Sequence, residues 1–201
     1  MISRRAKTTL SAAYFDAKYS IDPDPWNFNA SAYEAEKYAA TLGALPDDAY
    51  GNALELGCSI GVFTQQLAGR CRKLTAVDIS DLALDAARKR CAHLEHVQFL
   101  CMTAPAAWPD GQFDLILLSE VLYYFDLPDL KAVAKRVRQS LLPGGTVILV
   151  HWTGTTDYPL SGDVAADSFI AEMDDIALVS RQLSTEKYRL DVLRRKVEPG
   201  R

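Results

Sequence analysis

Short apolar runs alternate with stretches of helical spacing through the middle of the chain. The apolar runs have the length of buried strands and lie at 53–56, 74–77, 97–101, 113–118 and 146–150. Helical stripes follow several of them, and helices are predicted to begin at Val62, Ser80 and Pro128. The run at 113–118 is apolar apart from Asp114, as expected for a parallel strand that helices cover on both faces. This alternation predicts a doubly wound α/β sheet.

The section before the first predicted strand has a different pattern. Apolar spacing predicts a short amphipathic helix over 8–18. Two prolines within residues 21–26 exclude regular structure there. Ser31-x-x-Glu34 is a capping box that opens a second helix, which we expect to run through Leu42 with Gly43 as its C-cap.

The last section predicts a short helix over 165–173 and two β runs, at 176–183 and 188–197, that form an antiparallel hairpin. The expected fold is therefore a Rossmann-like, doubly wound, mostly parallel seven-stranded sheet with an antiparallel C-terminal hairpin and an N-terminal helical extension. We expect a single domain, in which residues 1–48 are a helical lid section and residues 49–201 are the core.

Composition restricts the classes of function. The chain has 201 residues, 49% apolar residues and a net charge of −4, which argues against non-specific nucleic-acid binding. It lacks both an apolar run of roughly 20 residues and a signal-peptide pattern, so a cytoplasmic protein without a membrane span is expected. No metal site is expected, because the cysteines and histidines are scattered and form no Cys-x-x-Cys pair.

A glycine-punctuated stretch runs from Gly51 to Phe63 and reads as a strand, a tight turn and a helix start. Gly57 and Gly61 allow unusual backbone dihedrals and close approach to a ligand. Glu55 places a carboxylate beside this loop, which suits a cationic ligand better than a pyrophosphate. The spacing Glu-x-Gly-x-Ser-x-Gly resembles the first motif of class I S-adenosylmethionine (AdoMet)-dependent methyltransferases, from which Ser59 departs. A glycine-rich turn that serves only packing is the alternative.

Asp78 stands at the predicted carboxyl end of the second strand. An acidic residue at this position can accept hydrogen bonds from ribose hydroxyls. The alternative is a helix N-cap, but Ser80 is available for that role. Asp78 is therefore a second candidate for cofactor binding.

Further candidates follow from the rule that ligands bind beyond the carboxyl ends of the strands. Ile79 and Met102 can sandwich an adenine or belong to the core. Tyr19 and Trp26, beside the proline-rich turn, can cover the ligand or pack against the sheet. Glu120 can hold or deprotonate an amine, or be a solvated residue at a helix start.

The predicted catalytic residues are Glu120 and His151, and His151 is open to three roles: general base, hydroxyl ligand or loop cap. The predicted cofactor-binding residues are Trp26, Glu55, Gly57, Cys58, Gly61, Asp78, Ile79, Met102, Thr103 and Ser119. The predicted substrate-binding residues are Tyr19, Tyr124 and Trp152.

A family resemblance extends over most of the chain. It is carried by Tyr14-Phe15-Asp16, Asp24-Pro25-Trp26, the capped Tyr33-Glu34 helix, Leu54 to Gly61, Val77 to Ser80, and Ser119 to Tyr124. These segments resemble the rhizobial nodulation protein NodS family, which implies an AdoMet-dependent N-methyltransferase with S-adenosylhomocysteine (AdoHcy) as product. The resemblance also implies an acceptor: the free amine of a de-N-acetylated, non-reducing glucosamine on a chitooligosaccharide in Nod factor biosynthesis.

Two other functions stay open at this point. One is a methyltransferase for another small molecule or for a protein side chain, and the other is a non-catalytic AdoMet-binding partner protein. A nicotinamide-dependent dehydrogenase is disfavoured because the loop spacing differs from Gly-x-Gly-x-x-Gly.

Overall fold

The computed structural model of the protein describes residues 5–197. Within this range the helices are α1 (Ala12–Ile21), α2 (Ala32–Ala44), α3 (Val62–Leu67), α4 (Asp81–Arg90), α5 (Leu127–Ser140) and α6 (Gly162–Ala171). The strands are β1 (Ala53–Leu56), β2 (Leu74–Asp78), β3 (Val97–Cys101), β4 (Phe113–Ser119), β5 (Leu141–Trp152), β6 (Ala177–Ser184) and β7 (Tyr188–Arg195). Short 3₁₀ turns lie at Ala68–Arg70 and Leu122–Tyr124.

The strands form one sheet with the order β3-β2-β1-β4-β5-β7-β6. β1 pairs with β2 and β2 with β3 in parallel, and β4 pairs with β5 in parallel. β7 pairs antiparallel with both β5 and β6. The predicted seven-stranded, mostly parallel sheet with a C-terminal antiparallel hairpin is confirmed.

Helix starts follow the polar residues that the sequence places there. The Ser31 hydroxyl accepts from the N–H of Glu34 at 3.3 Å, which confirms the predicted cap of α2. The Asp126 carboxylate caps α5 by accepting from the N–H of Asp129 at 3.0 Å. In each case a side-chain oxygen satisfies a backbone donor that has no partner inside the helix.

The first helix begins later than its apolar spacing predicts, at Ala12 instead of residue 8. Thr9 lies in the extended segment before it, where its hydroxyl donates to Asp129 at 2.5 Å and accepts from the N–H of Asp126 at 3.1 Å. These contacts with the start of α5 hold residue 9 outside the helix. Contacts with a distant segment therefore override a local helical pattern.

The boundary between α5 and β5 also differs from the prediction. α5 ends at Ser140 rather than Leu142, and β5 begins at Leu141 rather than Thr146. The residue before a proline avoids the helical region, so the chain leaves the helix ahead of Pro143. Gly43 was predicted to follow α2, but it lies inside the helix, whose C-cap is Leu45.

The chain divides into two compact units. One unit runs from Ser11 to Pro109 and carries β1 to β3; the other comprises the described residues on either side of it and carries β4 to β7. The single-domain organisation stays a prediction. Among the described residues, no helix combines the length and apolar character needed to cross a membrane.

Candidate functional site

The candidate residues form two groups, one in each unit. The loop group consists of residues 55–61, the β2 end at Asp78, and the side chains that contact them. The turn group consists of residues 119–124 together with His151 and Trp152. Both groups lie at the carboxyl ends of parallel strands, where open α/β sheets bind their ligands.

The loop after β1 uses the left-handed backbone region three times. Gly57, Ser59 and Gly61 have φ values of 81°, 49° and 76°. At Gly61 a Cβ atom would lie 3.0 Å from Ala87 in α4, so this glycine serves close packing as well as the turn. The sharp reversal starts α3 at Val62 and directs the loop's backbone beyond the end of β1.

Ser59 occupies the position at which the methyltransferase motif has a glycine. A left-handed conformation costs a non-glycine residue roughly 1–2 kcal/mol. The Ser59 N–H donates to Oδ2 of Asp78 at 2.8 Å, and the Ser59 and Tyr19 hydroxyls share a hydrogen bond at 2.5 Å. These contacts offset the cost and keep the loop in the conformation that a glycine adopts without strain.

Asp78 joins the ends of β1 and β2. Its two carboxylate oxygens accept from the N–H groups of Ser59, at 2.8 Å, and Ser80, at 3.0 Å. Burial raises the pKa of Asp78, although hydrogen bonds from the Ser80 and Ser59 backbone act in the opposite direction. Ser80 stands at the N-cap of α4, but its hydroxyl donates to Asp16 at 2.6 Å and makes no cap bond. A carboxylate has about four acceptor sites, so Asp78 keeps capacity for ligand hydroxyls.

Glu55 is a buried carboxyl group on β1, 3% exposed. Its Oε2 atom has no hydrogen-bond partner among the residues that the structure describes. Burial raises the pKa of Glu55 to about 7; the nearby Thr64 hydroxyl, which lies outside normal hydrogen-bond geometry, lowers it, and the Asp78 charge raises it further. A buried polar atom without a partner is uncommon and is costly unless a ligand completes it.

The proline-rich turn after α1 is held by the Asp24 carboxylate. It accepts from the N–H groups of Phe28, at 2.7 Å, and Asn29, at 2.9 Å. Trp26 packs between Tyr19 and Phe28, with ring centroids 5.6 and 5.8 Å apart. Tyr19 and Trp26 therefore lie together beside the loop group.

The other predicted cofactor residues differ in exposure. Cys58 is buried against Ala76 and Leu84 and serves packing beneath the loop. Ile79 and Met102 are half-buried and Thr103 is exposed, so all three are accessible at the ends of β2 and β3. Ser119, the last residue of β4, is half-buried and pairs with Val150.

Glu120 lies in a left-handed conformation, with φ 55°, directly after β4. Its Oε2 atom accepts from the Tyr123 hydroxyl at 2.5 Å and from the N–H of Trp152 at 3.0 Å. Its own N–H donates to the Val150 carbonyl at 2.7 Å. Strand β5 thus fixes the backbone of Glu120, and β5 together with Tyr123 fixes its carboxylate, while the side chain stays half-buried.

His151 is fully buried, and its Nε2 atom accepts from the N–H of Leu122 at 3.2 Å. The ring also meets Tyr123 edge-on, with centroids 5.4 Å apart. An Nε2 lone pair that holds a backbone N–H inside the protein is not available to take a proton from a substrate. Of the three roles left open by the sequence, this geometry favours the one in which His151 caps and holds the turn.

Aromatic side chains surround the turn. Tyr123 stacks on Tyr158 at 5.1 Å, and Tyr124 meets Tyr158 edge-on at 4.7 Å. Burial, followed by the charge of Glu120, raises the pKa of Tyr123 well above 10.0, so it stays a hydrogen-bond donor to the carboxylate. The Trp152 ring lies against Gly154, where a Cβ would come within 2.3 Å of the indole nitrogen.

Sequence reasoning missed the roles of Tyr123 and Ser59. Tyr123 donates to Glu120 three residues away, a spacing that the turn at Leu122–Tyr124 makes possible. From the sequence alone, Ser59 is only a departure from the motif. Its contact with Tyr19 crosses 40 residues of sequence, and no local signal indicates it.

Comparison with known proteins shows which family this chain resembles. The profile of the Nodulation protein S (NodS) family matches residues 16–154. Nodulation protein S of Bradyrhizobium diazoefficiens is 35% identical over 127 residues, which cover 62% of this chain and 61% of that relative. The matched part of this chain thus spans about three fifths of that relative's length.

Solved structures share the fold. N-methyltransferase NodS from Bradyrhizobium japonicum WM9, in complex with AdoHcy, superposes with a TM-score of 0.76 at 20% identity, covering 92% of this chain and 99% of that one. A structure described as a putative methyltransferase from Pseudomonas syringae gives a TM-score of 0.73 at 33% identity, covering 82% of this chain and 100% of that one.

Proposed function

This chain belongs to the nodulation protein S family, and from that premise we propose that it is an AdoMet-dependent N-methyltransferase of nodulation factor biosynthesis. The proposed acceptor is the free amine of the non-reducing glucosamine on a de-N-acetylated chitooligosaccharide. A cytoplasmic location is part of the proposal, and it rests on the sequence pattern alone.

The buried Oε2 atom of Glu55 is the observation that carries the cofactor assignment. It lacks a hydrogen-bond partner among the described residues and lies at the end of β1, beside a loop whose backbone runs through three left-handed residues. A carboxyl group in this state fits a cationic group such as the ammonium of AdoMet. The carboxylate groups of the loop group therefore suit AdoMet better than a cofactor that carries a pyrophosphate.

AdoMet, when bound, supplies a methyl group that is already activated by its sulfonium. The chain's own residues would bind the cofactor and orient it towards the acceptor. Glu55 would hold the ammonium group, and the remaining acceptor sites of Asp78 would take the ribose hydroxyls. Ile79 and Met102 would flank the adenine, with Thr103 at its edge.

Glu120 is the proposed acceptor-orienting residue. An amine with electron-withdrawing neighbours has a pKa near that of an α-amino group, about 7.7–8.0, so much of it is neutral near pH 7. A strong base is therefore dispensable, and correct positioning contributes most. Held by Tyr123 and by the Trp152 N–H, the carboxylate can accept a hydrogen bond from the amine and take up its proton.

The acceptor is tested by mass spectrometry of chitooligosaccharides incubated with the protein and AdoMet. We expect the mass gain of a methyl group on an oligomer with a free non-reducing amine. A fully acetylated oligomer of equal length should not react, because the amide lone pair is delocalised. Equal methylation of both oligomers would reject the proposed acceptor, and methylation only of small amines would favour the small-molecule alternative.

The same incubation addresses the non-catalytic alternative. A partner protein would bind AdoMet without methylating any of these acceptors. The Glu120→Gln variant is the matched negative control, because it keeps the shape of the side chain and removes its charge.

A further inference from the structure

The end of α1 and the segment that follows it are attached to two consecutive residues of the glycine-rich loop, Ser59 and Ile60. The first point is the hydrogen bond between the Tyr19 and Ser59 hydroxyls, 2.5 Å apart. The second is Arg90 in α4, whose Nε donates to the carbonyl of Ile60 at 2.9 Å while its other nitrogen donates to the Asn29 side chain. Tyr19, before the proline-rich turn, thus contacts the loop directly, and Asn29, after the turn, is linked to the loop through Arg90.

The stretch between these two points is held by contacts among its own residues. Trp26 packs on Tyr19 at one side and on Phe28 at the other. The Asp24 carboxylate binds the backbone of Phe28 and both the backbone and the side chain of Asn29. Packing and hydrogen bonds therefore connect Tyr19 continuously to Asn29 and, through Arg90, back to the loop.

Ser59 lies at the centre of this closed circuit. Its backbone is in a conformation that favours glycine, its N–H is held by Asp78, and its hydroxyl is held by Tyr19. Tyr19 is 8% exposed, so the contact is largely sheltered from solvent. A serine that only replaced a glycine would need neither the buried tyrosine nor the hydroxyl contact.

We infer that Tyr19, Ser59 and Arg90 are positioning residues that set the geometry of the cofactor loop through the N-terminal segment. This inference rests on the proposed function, because it takes the loop to be the AdoMet site. In this role Ser59 does what a motif glycine cannot do: it makes cofactor affinity depend on the docking of α1. Tyr19 then acts on the cofactor side rather than as a sugar-binding residue.

The test is a double-mutant cycle with Tyr19→Phe and Ser59→Ala, read by calorimetric AdoHcy affinity and by thermal midpoint. Each single variant should weaken AdoHcy binding by about three- to tenfold, the range of a net hydrogen bond. The double variant should lose no more than the larger single loss, because both changes remove the same contact. Arg90→Met should weaken binding by a similar factor.

Two matched controls lie on the same helices. Ser20→Ala removes an exposed α1 hydroxyl whose bond stays within the helix, and Arg88→Met removes an α4 guanidinium that pairs with Asp85 at the surface. Both should keep wild-type affinity.

Three outcomes decide the matter. Coupled losses of affinity in the cycle, with unaffected controls, support the inference. A lowered thermal midpoint with unchanged AdoHcy affinity, or additive losses, would overturn it, because the contact would then only attach α1 to the core. Absence of AdoHcy binding in the wild-type protein would reject the proposed function and this inference together, and would thereby be distinguished from failure of the inference alone.

Discussion

The loop group and the turn group solve a similar problem with different chemistry. Each places a non-glycine residue in the left-handed region, Ser59 at φ 49° and Glu120 at φ 55°, and each fixes that residue with a tyrosine hydroxyl at 2.5 Å. In the loop group the strained residue is a serine, and the nearby carboxyl groups of Glu55 and Asp78 are buried. In the turn group the strained residue is itself the carboxylate and is half-buried.

This difference suits the loop group to binding a ligand and the turn group to contact with a reacting group. Asp78 accepts hydrogen bonds from two backbone N–H groups, and the carboxyl group of Glu55 is buried. Carboxyl groups held in this way are suited to binding a ligand in one pose. Glu120 has partners that orient its carboxylate without enclosing it, which suits a residue that meets a reacting amine. Strained, non-glycine backbone is expected where function fixes a side chain at one position.

The largest expected effect is on turnover in the Glu120→Gln variant. If Glu120 orients the acceptor amine and receives its proton, as proposed, loss of its charge should lower the rate by about 10²-fold or more, within the range of general-base contributions. AdoHcy affinity, which the proposal assigns to the loop group, should change less than twofold. Methyl-transfer rates and calorimetry measure the two quantities. Glu186→Gln, at an exposed position, is the control, and an active Glu120→Gln enzyme would contradict the assignment.

A change at Asp78 should have the converse effect. Asp78→Ala removes the acceptor of the Ser59 and Ser80 N–H groups and the proposed ribose contact, so AdoHcy affinity should fall by about ten- to 100-fold, as for loss of a charged hydrogen bond. Calorimetry on the folded variant measures the loss. Unchanged affinity would place the ribose elsewhere.

Glu55 should make cofactor binding depend on pH. Because its pKa is raised to about 7, the ligand-free protein holds a proton that must leave when a cationic group binds. Apparent AdoHcy affinity should therefore rise about tenfold between pH 6 and pH 8, as one released proton requires. The Glu55→Gln variant should bind more weakly and show a flat profile; an unaltered profile would show that another group is responsible.

The same raised pKa has a consequence for stability. Between pH 4.5, the ordinary pKa of a glutamate, and about pH 7, Glu55 keeps its proton in the folded protein but loses it in the unfolded chain. The free energy of unfolding is therefore highest below pH 4.5 and decreases as the pH rises towards about 7. Urea unfolding of the ligand-free protein should therefore show a free energy that falls over this window, with Glu55→Gln less sensitive. A free energy that rises with pH only in the wild type would contradict the raised pKa.

The smallest expected effect is at His151. His151→Gln keeps an acceptor for the Leu122 N–H, so turnover should fall by less than about tenfold and the pH–rate profile should keep its shape. Loss of a general base would instead lower the rate by about 10²-fold or more. A larger loss together with a displaced acidic limb of the profile would show that His151 exchanges a proton.

The comparison also explains what the sequence could predict. The parallel strands, Gly57, Gly61 and Asp78 follow from local patterns, because strand ends and tight turns leave signals in a few adjacent residues. The circuit through Tyr19, Ser59 and Arg90 joins segments that are distant in sequence, so local spacing does not indicate it. The burial of His151 likewise depends on how β5 meets the turn at Leu122.

Calorimetric titration of the wild-type protein with AdoHcy, and separately with NAD, tests the central claim most directly. The account predicts saturable binding of one AdoHcy per chain and no binding of NAD, because Glu55 suits an ammonium and opposes a pyrophosphate. Binding of NAD in place of AdoHcy, or binding of neither, would contradict the account of this protein as an AdoMet-dependent methyltransferase.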